Sequence, residues 1–402
     1  MEEQEIVTEE ILQEKPKKKK ERKGRGQLLI GFLTGVAATG LVVFLLFFFT
    51  EKIDKENIIR TLIDKYYLNE VDEDALEDGK YKGMLEALDD PYTTYFTIEE
   101  TDSRIQQNEG TYRGIGVVLS QDTETGVLTV TRCYPNSPAE EAGVLAGDIL
   151  YQIDGLITSD MELSDVVSHI KESDESGVVL TLIREGESEY IELTVIPTSI
   201  QSEMGQSQMV DEEIGYLAIY DFTETTYDQF HTQLEELKNQ GMTRLIVDLR
   251  NNTGGLMTSV TDILDSILPE GVMVYTMDKN GNRKDYMSSG ETPLEIPMVV
   301  LVNEYTASAS EIFAGAVRDY DMAQLVGTTT YGKGVVQSTF YLNDGSAIKL
   351  TSASYYTPNG TNINGTGLEP DVEVELNLEP DEDGYIYDTQ LEKAIEVIKT
   401  MD

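Results

Sequence analysis

Hydrophobic residues are distributed differently in successive parts of the chain. Residues 28–49 are uncharged and predominantly apolar, whereas residues 51–103 are rich in charge and carry apolar residues at helical spacing, as in IIRTLIDKYY and YKGMLEALDD. Residues 110–197 contain short β-rich runs between glycine turns, such as GIGVVLS, VLTVTRCY and VVLTLIRE, and one helical segment, SDVVSHIK. This alternation predicts a compact, half-open barrel of strands capped by helices.

Apolar strands alternate with helices after a polar segment near QSEMGQSQ, which we interpret as a linker. IGYLAIYDF precedes the helical YDQFHTQLEELKNQ, and RLIVDLR precedes TSVTDILDSIL. This order predicts a partly parallel sheet with crossover helices. DTQLEKAIEVIKTM adds a short amphipathic helix. The overall expectation is an α/β multidomain protein.

The apolar segment near the amino terminus predicts a membrane anchor. At about 1.5 Å rise per residue, residues 28–49 would extend about 33 Å, enough to cross the hydrocarbon core. The basic KPKKKKERKGR before it places the amino terminus in the cytoplasm and the rest of the chain outside. A cleaved signal peptide is the alternative, but its apolar region would be shorter and would end in small residues, whereas this one ends in FFFTEK. Gly31 and Gly35 have a GxxxG spacing, compatible with pairing of two such helices in a homo-oligomer.

Composition removes several classes of function. The chain has 402 residues and a net charge of −44, which argues against nucleic acid as a partner because phosphate binding needs a basic surface. Its single cysteine, Cys133, excludes an internal disulfide. Its two histidines, His169 and His231, lie in separate helical stretches, where an ordinary surface or core role is the usual one. A Ser-His-Asp triad and an HExxH zinc site are therefore improbable.

Ser308 and Lys333 offer a nucleophile and a base without histidine. The buried-strand pattern MVVLVN and the helical SEIFAGAVRDY place Ser308 at a strand-to-helix turn, where unpaired N–H groups and the helix dipole favour an oxyanion. Lysine acts as a base only when neutral, so a pocket near Tyr331, Val335 and Val336 must depress its pKa in this acidic protein.

Two other interpretations of this region remain open from the residues alone. Ser310 or Thr306 could simply cap the helix. GTTTYGKG from Gly327 matches most of a phosphate-binding P-loop, although Gly334 replaces the Ser or Thr that would hold Mg²⁺ and the following VVQSTFYL predicts a strand.

The segment NNTGG follows the buried-strand pattern RLIVDL. Ligand sites of α/β sheets usually lie at such strand ends, and adjacent glycines let the backbone approach a substrate carbonyl closely. An ordinary tight turn is the alternative.

Four blocks together resemble the carboxyl-terminal processing protease family of membrane-anchored serine proteases with a PDZ domain. They are YKGMLEALDDPYTTYF, SPAEEAGVLAGDILYQIDG, LIVDLRNNTGGL, and TASASEIF with YGKGVVQ. The resemblance implies that Ser308 attacks the peptide, Lys333 is the general base and Gln337 helps to hold the lysine amine. It also implies an oxyanion hole made by the N–H groups of Ala309 and Gly254, although Thr253 stands where relatives more often have proline.

The resemblance extends to a peptide-binding loop in YRGIGVVL. The N–H groups of Gly114, Ile115 and Gly116 would bind a substrate's terminal carboxylate, with the peptide added as a strand to the sheet edge, although the glycines could equally be turn residues. Lys171 and Glu172 stand where many relatives have arginine followed by glycine. This departure concerns the response of the domain to peptide.

These inferences predict an extracytoplasmic, single-pass serine endopeptidase that cleaves exported proteins near free carboxyl termini and needs no metal or organic cofactor. A non-catalytic PDZ adaptor at the membrane is the alternative. The predicted segments are a basic cytoplasmic tail (1–27), an anchor (28–50), a helical segment (51–103), a PDZ domain (104–198), a protease core (199–378) and a terminal helical segment (379–402).

Overall fold

The computed structural model describes residues 35–36, 39–41, 55–122, 125–134, 136–377 and 387–401. Within these ranges, no helix has the length and apolar character needed to cross a bilayer. The predicted cytoplasmic tail lies outside the described residues, and so does the predicted anchor except for the helical residues 35–36 and 39–41. The chain divides into two compact units, Met1–Leu76 and Glu77–Asp402.

Helices and strands follow one another in the order that the alternating patterns predict. The helices are α1 (Lys55–Tyr66), α2 (Glu73–Glu86), α3 (Ile98–Asn108), α4 (Pro138–Ala142), α5 (Leu163–Glu172), α6 (Thr226–Asn239), α7 (Met257–Asp265), α8 (Ala309–Asp319) and α9 (Thr389–Ile398). The first strands are β1 (Thr94–Phe96), β2 (Thr111–Gly114), β3 (Val117–Gln121), β4 (Leu128–Cys133), β5 (Ile149–Ile153), β6 (Leu156–Ile157), β7 (Val178–Ile183), β8 (Ile191–Val195) and β9 (Thr198–Gln201). The later strands are β10 (Gly205–Met209), β11 (Ile214–Ile219), β12 (Arg244–Asp248), β13 (Gly271–Asp278), β14 (Arg283–Ser288), β15 (Met298–Val302), β16 (Ala323–Gly327), β17 (Val335–Tyr341), β18 (Ala347–Tyr356) and β19 (Val372–Glu373).

The β-rich part is an antiparallel sheet with its own core. The strand order is β3-β4-β5-β7-β8, with β6 paired to β5, so β3 is an edge strand. Alternating side chains such as Leu128, Val130, Leu180 and Leu182 pack with Val166 of α5 into one buried cluster. The predicted half-open, helix-capped set of strands is confirmed. Strands β2 and β9 pair with each other at the two ends of this part.

The α/β part is built on a six-stranded sheet of order β10-β11-β12-β15-β16-β19. Strands β11 to β19 along this order are parallel, as the strand–helix alternation predicts. Such strands are buried on both faces, which explains the continuous apolar runs of β12 and β15. Helices α6, α7 and α8 pack in one hydrophobic cluster with this sheet, and α9 packs in a second. The predicted linker near QSEMGQSQ is wrong in part, because Gly205–Met209 forms β10, antiparallel to β11.

A third sheet stands beside these elements, with order β1-β18-β13-β14 and β17 paired to β18. Its strand β1 comes from the segment that the sequence indicated as helical. Strand β17 follows Gly334 where a P-loop would continue into a helix, so the geometry does not fit a phosphate-binding loop.

Candidate active site

Ser308 occupies the turn between β15 and α8 in a sterically disfavoured backbone conformation. Its φ of 56° and ψ of −115° lie outside the regions that residues with a Cβ atom ordinarily occupy. Such conformations cost about 1 to 3 kcal/mol each and persist only where the surroundings impose them. The Tyr355 hydroxyl donates to the Ser308 carbonyl oxygen at 3.2 Å, and the Ser308 N–H donates to Glu311 Oε2 at 2.9 Å. The turn is therefore held from two directions.

The hydroxyl groups of Ser310 and Thr306, the two alternative caps, are used elsewhere. Ser310 Oγ donates to the carbonyl oxygen of Asn252 at 3.0 Å, and Thr306 Oγ1 donates to the carbonyl oxygen of Leu249 at 2.9 Å. Both residues are buried and tie α8 and its leading turn to the loop after β12. The helix-capping interpretation therefore fails for these two residues.

Glu311 joins the segments that carry Ser308 and Lys333. Its carboxylate is fully buried, with 0% exposure. Oε2 accepts the N–H groups of Ser308 and Lys333, both at 2.9 Å. Oε1 accepts the Thr330 hydroxyl at 2.6 Å and the Gly332 N–H at 2.7 Å. Burial raises the pKa of Glu311 above its ordinary value, although these four donors favour the charged form.

Sequence reasoning missed Glu311. A signal was present, because Ser308 and Glu311 have the S-x-x-E spacing of a capping box, in which the glutamate reaches back to the N–H of the capping residue. Here the same carboxylate also reaches forward to the loop of Lys333.

The Lys333 side chain is partly withdrawn from water. Burial lowers its pKa below the ordinary lysine value, and the nearby positive charges of Lys349 and Arg104 act in the same direction. The carboxylates of Glu311 and Asp90 act in the opposite direction. Burial therefore outweighs the acidic surroundings, as a lysine base requires.

Tyr92 supplies part of the enclosure around this amine. Lys333 Nζ lies 4.8 Å from the centroid of the Tyr92 ring, within the range of a cation–π contact. Tyr92 belongs to the DDPYTTYF segment, which also contributes β1 to the sheet of β18. Residues far apart in sequence thus meet at the candidate base.

Gly254 makes the closest approach to the turn of Ser308. A Cβ atom on Gly254 would lie 2.8 Å from Ser308 Cβ and 2.9 Å from the Ala309 nitrogen, and the φ of 108° favours glycine. The Gly254 N–H donates to Asn252 Oδ1 at 2.8 Å, so this predicted oxyanion donor is already engaged. For the N–H groups of Ala309 and Gly255, no acceptor is found in the described part of the chain.

The predicted residues of the site line one cavity of about 240 Å³, which contains Ser308, Ala309, Gly254, Lys333 and Gln337. Among the described residues, no hydrogen bond joins the Ser308 hydroxyl to the Lys333 amine. The Gln337 side-chain amide donates instead to the carbonyl oxygen of Val335 at 3.4 Å. The structure thus brings these groups to a common space without the direct contacts that the resemblance implies.

The predicted peptide-binding loop lies between β2 and β3. Gly114, Ile115 and Gly116 are all buried. The carbonyl oxygen of Ile115 accepts the Ala139 N–H at 2.9 Å, and the carbonyl oxygen of Gly116 accepts the Tyr134 N–H at 2.8 Å. The N–H groups of Ile115 and Gly116 have no acceptor within the described ranges, whereas Gly114 pairs with β9.

Helix α5 is fastened at both ends close to this loop. Gln121, the last residue of β3, accepts the Leu163 N–H at 3.1 Å and donates to the carbonyl oxygen of Met161 at 2.8 Å. Arg113 donates to the carbonyl oxygens of Lys171 at 3.0 Å and Ser173 at 2.8 Å, where α5 ends. Strand β3 is the edge strand of its sheet and ends next to the start of this helix.

Three family models match successive parts of the chain. Residues 213–374 match the model of peptidase family S41, residues 129–184 match a PDZ domain, and residues 3–101 match the N-terminal domain of the activating protease CtpB. A putative S41 protease from Bacteroides fragilis has a similar structure, with a TM-score of 0.53 at 17% identity, covering 80% of this chain and 90% of that one. That likeness concerns the fold alone.

Two curated relatives share substantial sequence with the chain. The carboxy-terminal processing protease CtpA of Bacillus subtilis is 34% identical over 326 residues, which cover 81% of this chain and 69% of the relative. The carboxyl-terminal-processing protease of Synechocystis is 36% identical over 299 residues, which cover 73% of this chain and 70% of the relative. The chain therefore belongs to the carboxyl-terminal processing proteases, serine-type peptidases of family S41 that carry a PDZ domain.

Proposed function

We propose that the protein is an endopeptidase that uses Ser308 as nucleophile and Lys333 as general base. The observation that carries the proposal is the placement of a strained serine and a lysine with a lowered pKa in one cavity, joined through the buried Glu311. An ordinary helix cap would need neither the strain nor the buried carboxylate.

The chemistry follows from these positions. Neutral Lys333 takes the proton of the Ser308 hydroxyl as the oxygen attacks the peptide carbonyl carbon. The resulting oxyanion is stabilised by the Ala309 N–H and by an N–H of the glycine turn. Because the Gly254 N–H already donates to Asn252, we assign this role to Gly255, whose N–H has no acceptor in the described part of the chain. Collapse of the intermediate breaks the C–N bond, Lys333 returns the proton to the leaving amine, and water then hydrolyses the acyl-enzyme.

The dyad is completed when substrate enters. The Ser308 and Lys333 side chains share a cavity without a direct hydrogen bond, and catalytic hydrogen bonds often tighten only in the complex with substrate. Gln337 is held by a single long contact to Val335, so its amide is free to turn toward the lysine amine.

Substrate capture is assigned to the PDZ domain. The open edge of β3 suits an extended peptide, and the N–H groups of Ile115 and Gly116, which have no acceptor among the described residues, suit its terminal carboxylate. We further propose that residues 28–50 anchor the protein with its catalytic part outside the cytoplasm, where exported proteins are the substrates. The GxxxG spacing at Gly31 and Gly35 would let two anchors pair.

A labelling experiment tests the nucleophile directly. The full chain in detergent is treated with a fluorophosphonate probe, and digestion of casein is measured alongside. We expect Ser308→Ala to lose both the label and the digestion, Lys333→Ala to lose digestion, and the exposed control Lys279→Ala to retain both. Digestion by Ser308→Ala and Lys333→Ala at the parent rate would contradict the proposal.

Addition of trypsin to intact cells tests the topology, since an external catalytic part is degraded.

The alternative is a non-catalytic peptide-binding adaptor, favoured by the open β3 edge and by the missing bond between Ser308 and Lys333. An adaptor would bind peptides with a free carboxyl terminus and lose them on amidation. It would do so without any cleavage by the parent protein.

A further inference from the structure

The active-site cavity has one wall made by the face of a β-sheet. Alternate residues of a strand share one face, and the cavity is lined by Gln337, Thr339 and Tyr341 of β17 and by Ala347 and Lys349 of β18. Lys349 pairs with Thr339 on one side and with Thr94 of β1 on the other. Lys349 therefore lies on the central strand of a three-stranded face. Its partner Thr339 is two residues along β17 from Gln337.

A second cation, Arg104 of α3, lines the same cavity. Its one side-chain hydrogen bond in the described part of the chain goes from Nη1 to Gln107 Oε1 at 3.0 Å. Lys349 Nζ lies 5.2 Å from the centroid of the Phe96 ring. Within the described residues, neither cation has a carboxylate in salt-bridge distance.

The balance of charge in the cavity is the reverse of that in the whole chain. The chain carries 74 acidic residues against 30 basic ones. The cavity nevertheless contains Lys333, Lys349 and Arg104 and only one carboxylate, Asp221, which accepts its neighbouring Phe222 N–H. Asp221 feels the charge of Arg104 without forming an ion pair with it.

Any cost of this arrangement falls on Lys349, because Arg104 is exposed and water screens its charge. Lys349 is half-buried, and its positive charge is disfavoured by burial and by the nearby Arg104, both of which lower its pKa. An anion entering the cavity would be attracted by both side chains and would relieve their repulsion. In a peptidase, the anion available at this point is a carboxylate of the substrate.

We propose that Arg104 and Lys349 form a subsite of the active-site cavity that binds a carboxylate of the peptide being cleaved. This inference rests on the proposed endopeptidase function and adds a specificity determinant to it. The carboxylate comes either from an acidic side chain near the scissile bond or from the chain terminus. A bound carboxylate fixes the register of the peptide relative to Ser308, so the subsite selects which bond is cut.

Pairs of quenched fluorescent peptides test the subsite in the full-length protein. Each pair places Glu or Gln at one position near a single scissile bond, and a further pair has a free or an amidated terminus. We expect the parent to favour the carboxylate of one pair by about tenfold in kcat/KM, as charge-assisted hydrogen bonds imply. The Glu and Gln pairs identify a side-chain source, and the free and amidated pair identifies a terminal one.

The variants assign the preference to the cavity. The parent distinguishes the two peptides of one pair by their kcat/KM. Lys349→Met combined with Arg104→Gln should reduce this ratio to about one, whereas Lys349→Arg should preserve it. Lys279→Met removes the same charge from an exposed hairpin position and should leave the ratio at the parent value. Because the PDZ domain is intact in every variant, a carboxylate preference that persists in the double variant overturns the proposal. Equal kcat/KM within every pair for the parent also overturns it.

Binding to the Ser308→Ala protein separates this proposal from the proposed function. Fluorescence anisotropy of the same peptides measures the affinity ratio without turnover. A ratio that falls in Ser308→Ala combined with Lys349→Met supports the subsite even if the parent cleaves no peptide. An unchanged affinity ratio contradicts the subsite, whatever the cleavage assay shows.

Discussion

Replacing Glu311 by glutamine should disrupt both the stability of the protease core and the geometry of its active site. The substitution keeps the size and shape of the side chain but exchanges one carboxylate oxygen for an NH₂ group. Each carboxylate oxygen of Glu311 accepts two hydrogen bonds. Oε2 accepts from Ser308 and Lys333, and Oε1 accepts from Thr330 and Gly332. One oxygen of glutamine can still accept, so one pair of donors then faces another donor.

The magnitude follows from the number of bonds at risk. If the NH₂ group faces Thr330 and Gly332, the Thr330 hydroxyl can rotate to accept a hydrogen bond from it, and only the Gly332 N–H is left without an acceptor. If the NH₂ group faces Ser308 and Lys333 instead, the N–H groups of both residues are left without an acceptor. An unsatisfied buried donor costs about 1 to 3 kcal/mol, and relief of the desolvation of the Glu311 carboxylate offsets part of this. Glutamine takes the less costly orientation, so we expect a loss of about 1 to 3 kcal/mol in the free energy of unfolding.

The assay combines urea unfolding with peptide cleavage. Movement of the two backbone segments by about 1 Å should lower kcat/KM by about 100-fold. Glu304→Gln is the matched control, because Glu304 is exposed and accepts one hydrogen bond from the Thr328 hydroxyl at 3.1 Å. Its unfolding free energy should change by less than about 0.5 kcal/mol. If Glu311→Gln matches this control in both stability and kcat/KM, the carboxylate does not hold the site together and the reasoning fails.

Three further predictions concern the same site. Gly254→Ala places a Cβ atom 2.8 Å from Ser308 Cβ, so kcat/KM should fall by about 100-fold. Gly281→Ala is the control for backbone strain alone, because Gly281 has a φ of 79° and open space around it. Equal losses of kcat/KM in the two variants would refute the steric argument. Activity should rise with pH as Lys333 loses its proton, at a pH below that of an ordinary lysine, because burial lowers its pKa. Lys349→Met removes a positive charge that helps to lower that pKa, so the rising limb of the kcat/KM profile should move to higher pH; a shift to lower pH, or none, would contradict the assignment.

Local patterns were sufficient for elements whose apolar spacing is distinctive by itself. The apolar run MVVLV and the spacing of Ile312, Phe313 and Val317 predicted β15 and α8, and both are buried as expected. Strand β10 escaped because GQSQM has no apolar alternation; it is an edge strand whose pairing with β11 decides its structure. Strand β1 escaped because its partner β18 lies about 250 residues away, beyond any local pattern.

The site was predictable where its chemistry depends on residue type and not where it depends on long-range packing. The absence of suitable histidines left Ser308 and Lys333 as the remaining nucleophile and base. The neighbours of Lys333 in sequence indicated a desolvating pocket, whereas the contributions of Lys349 and Arg104 to its lowered pKa depend on tertiary structure. Glu311 was missed for a related reason, since an acidic residue near the start of a helix is ordinarily exposed.

Helix α9 is attached to β12 but is synthesised long after it. The Arg244 guanidinium donates to the carbonyl oxygens of Ile398 at 2.6 Å and Met401 at 2.7 Å, across separations of 154 and 157 residues. Arg250 binds Asp388 through two further bonds of 2.9 and 2.7 Å. At about 5 to 20 residues per second, a ribosome needs about 8 to 30 s to pass from β12 to α9. During that interval one face of the central sheet has no cover, so the newly made peptidase is itself an incompletely folded chain of the kind that peptidases attack.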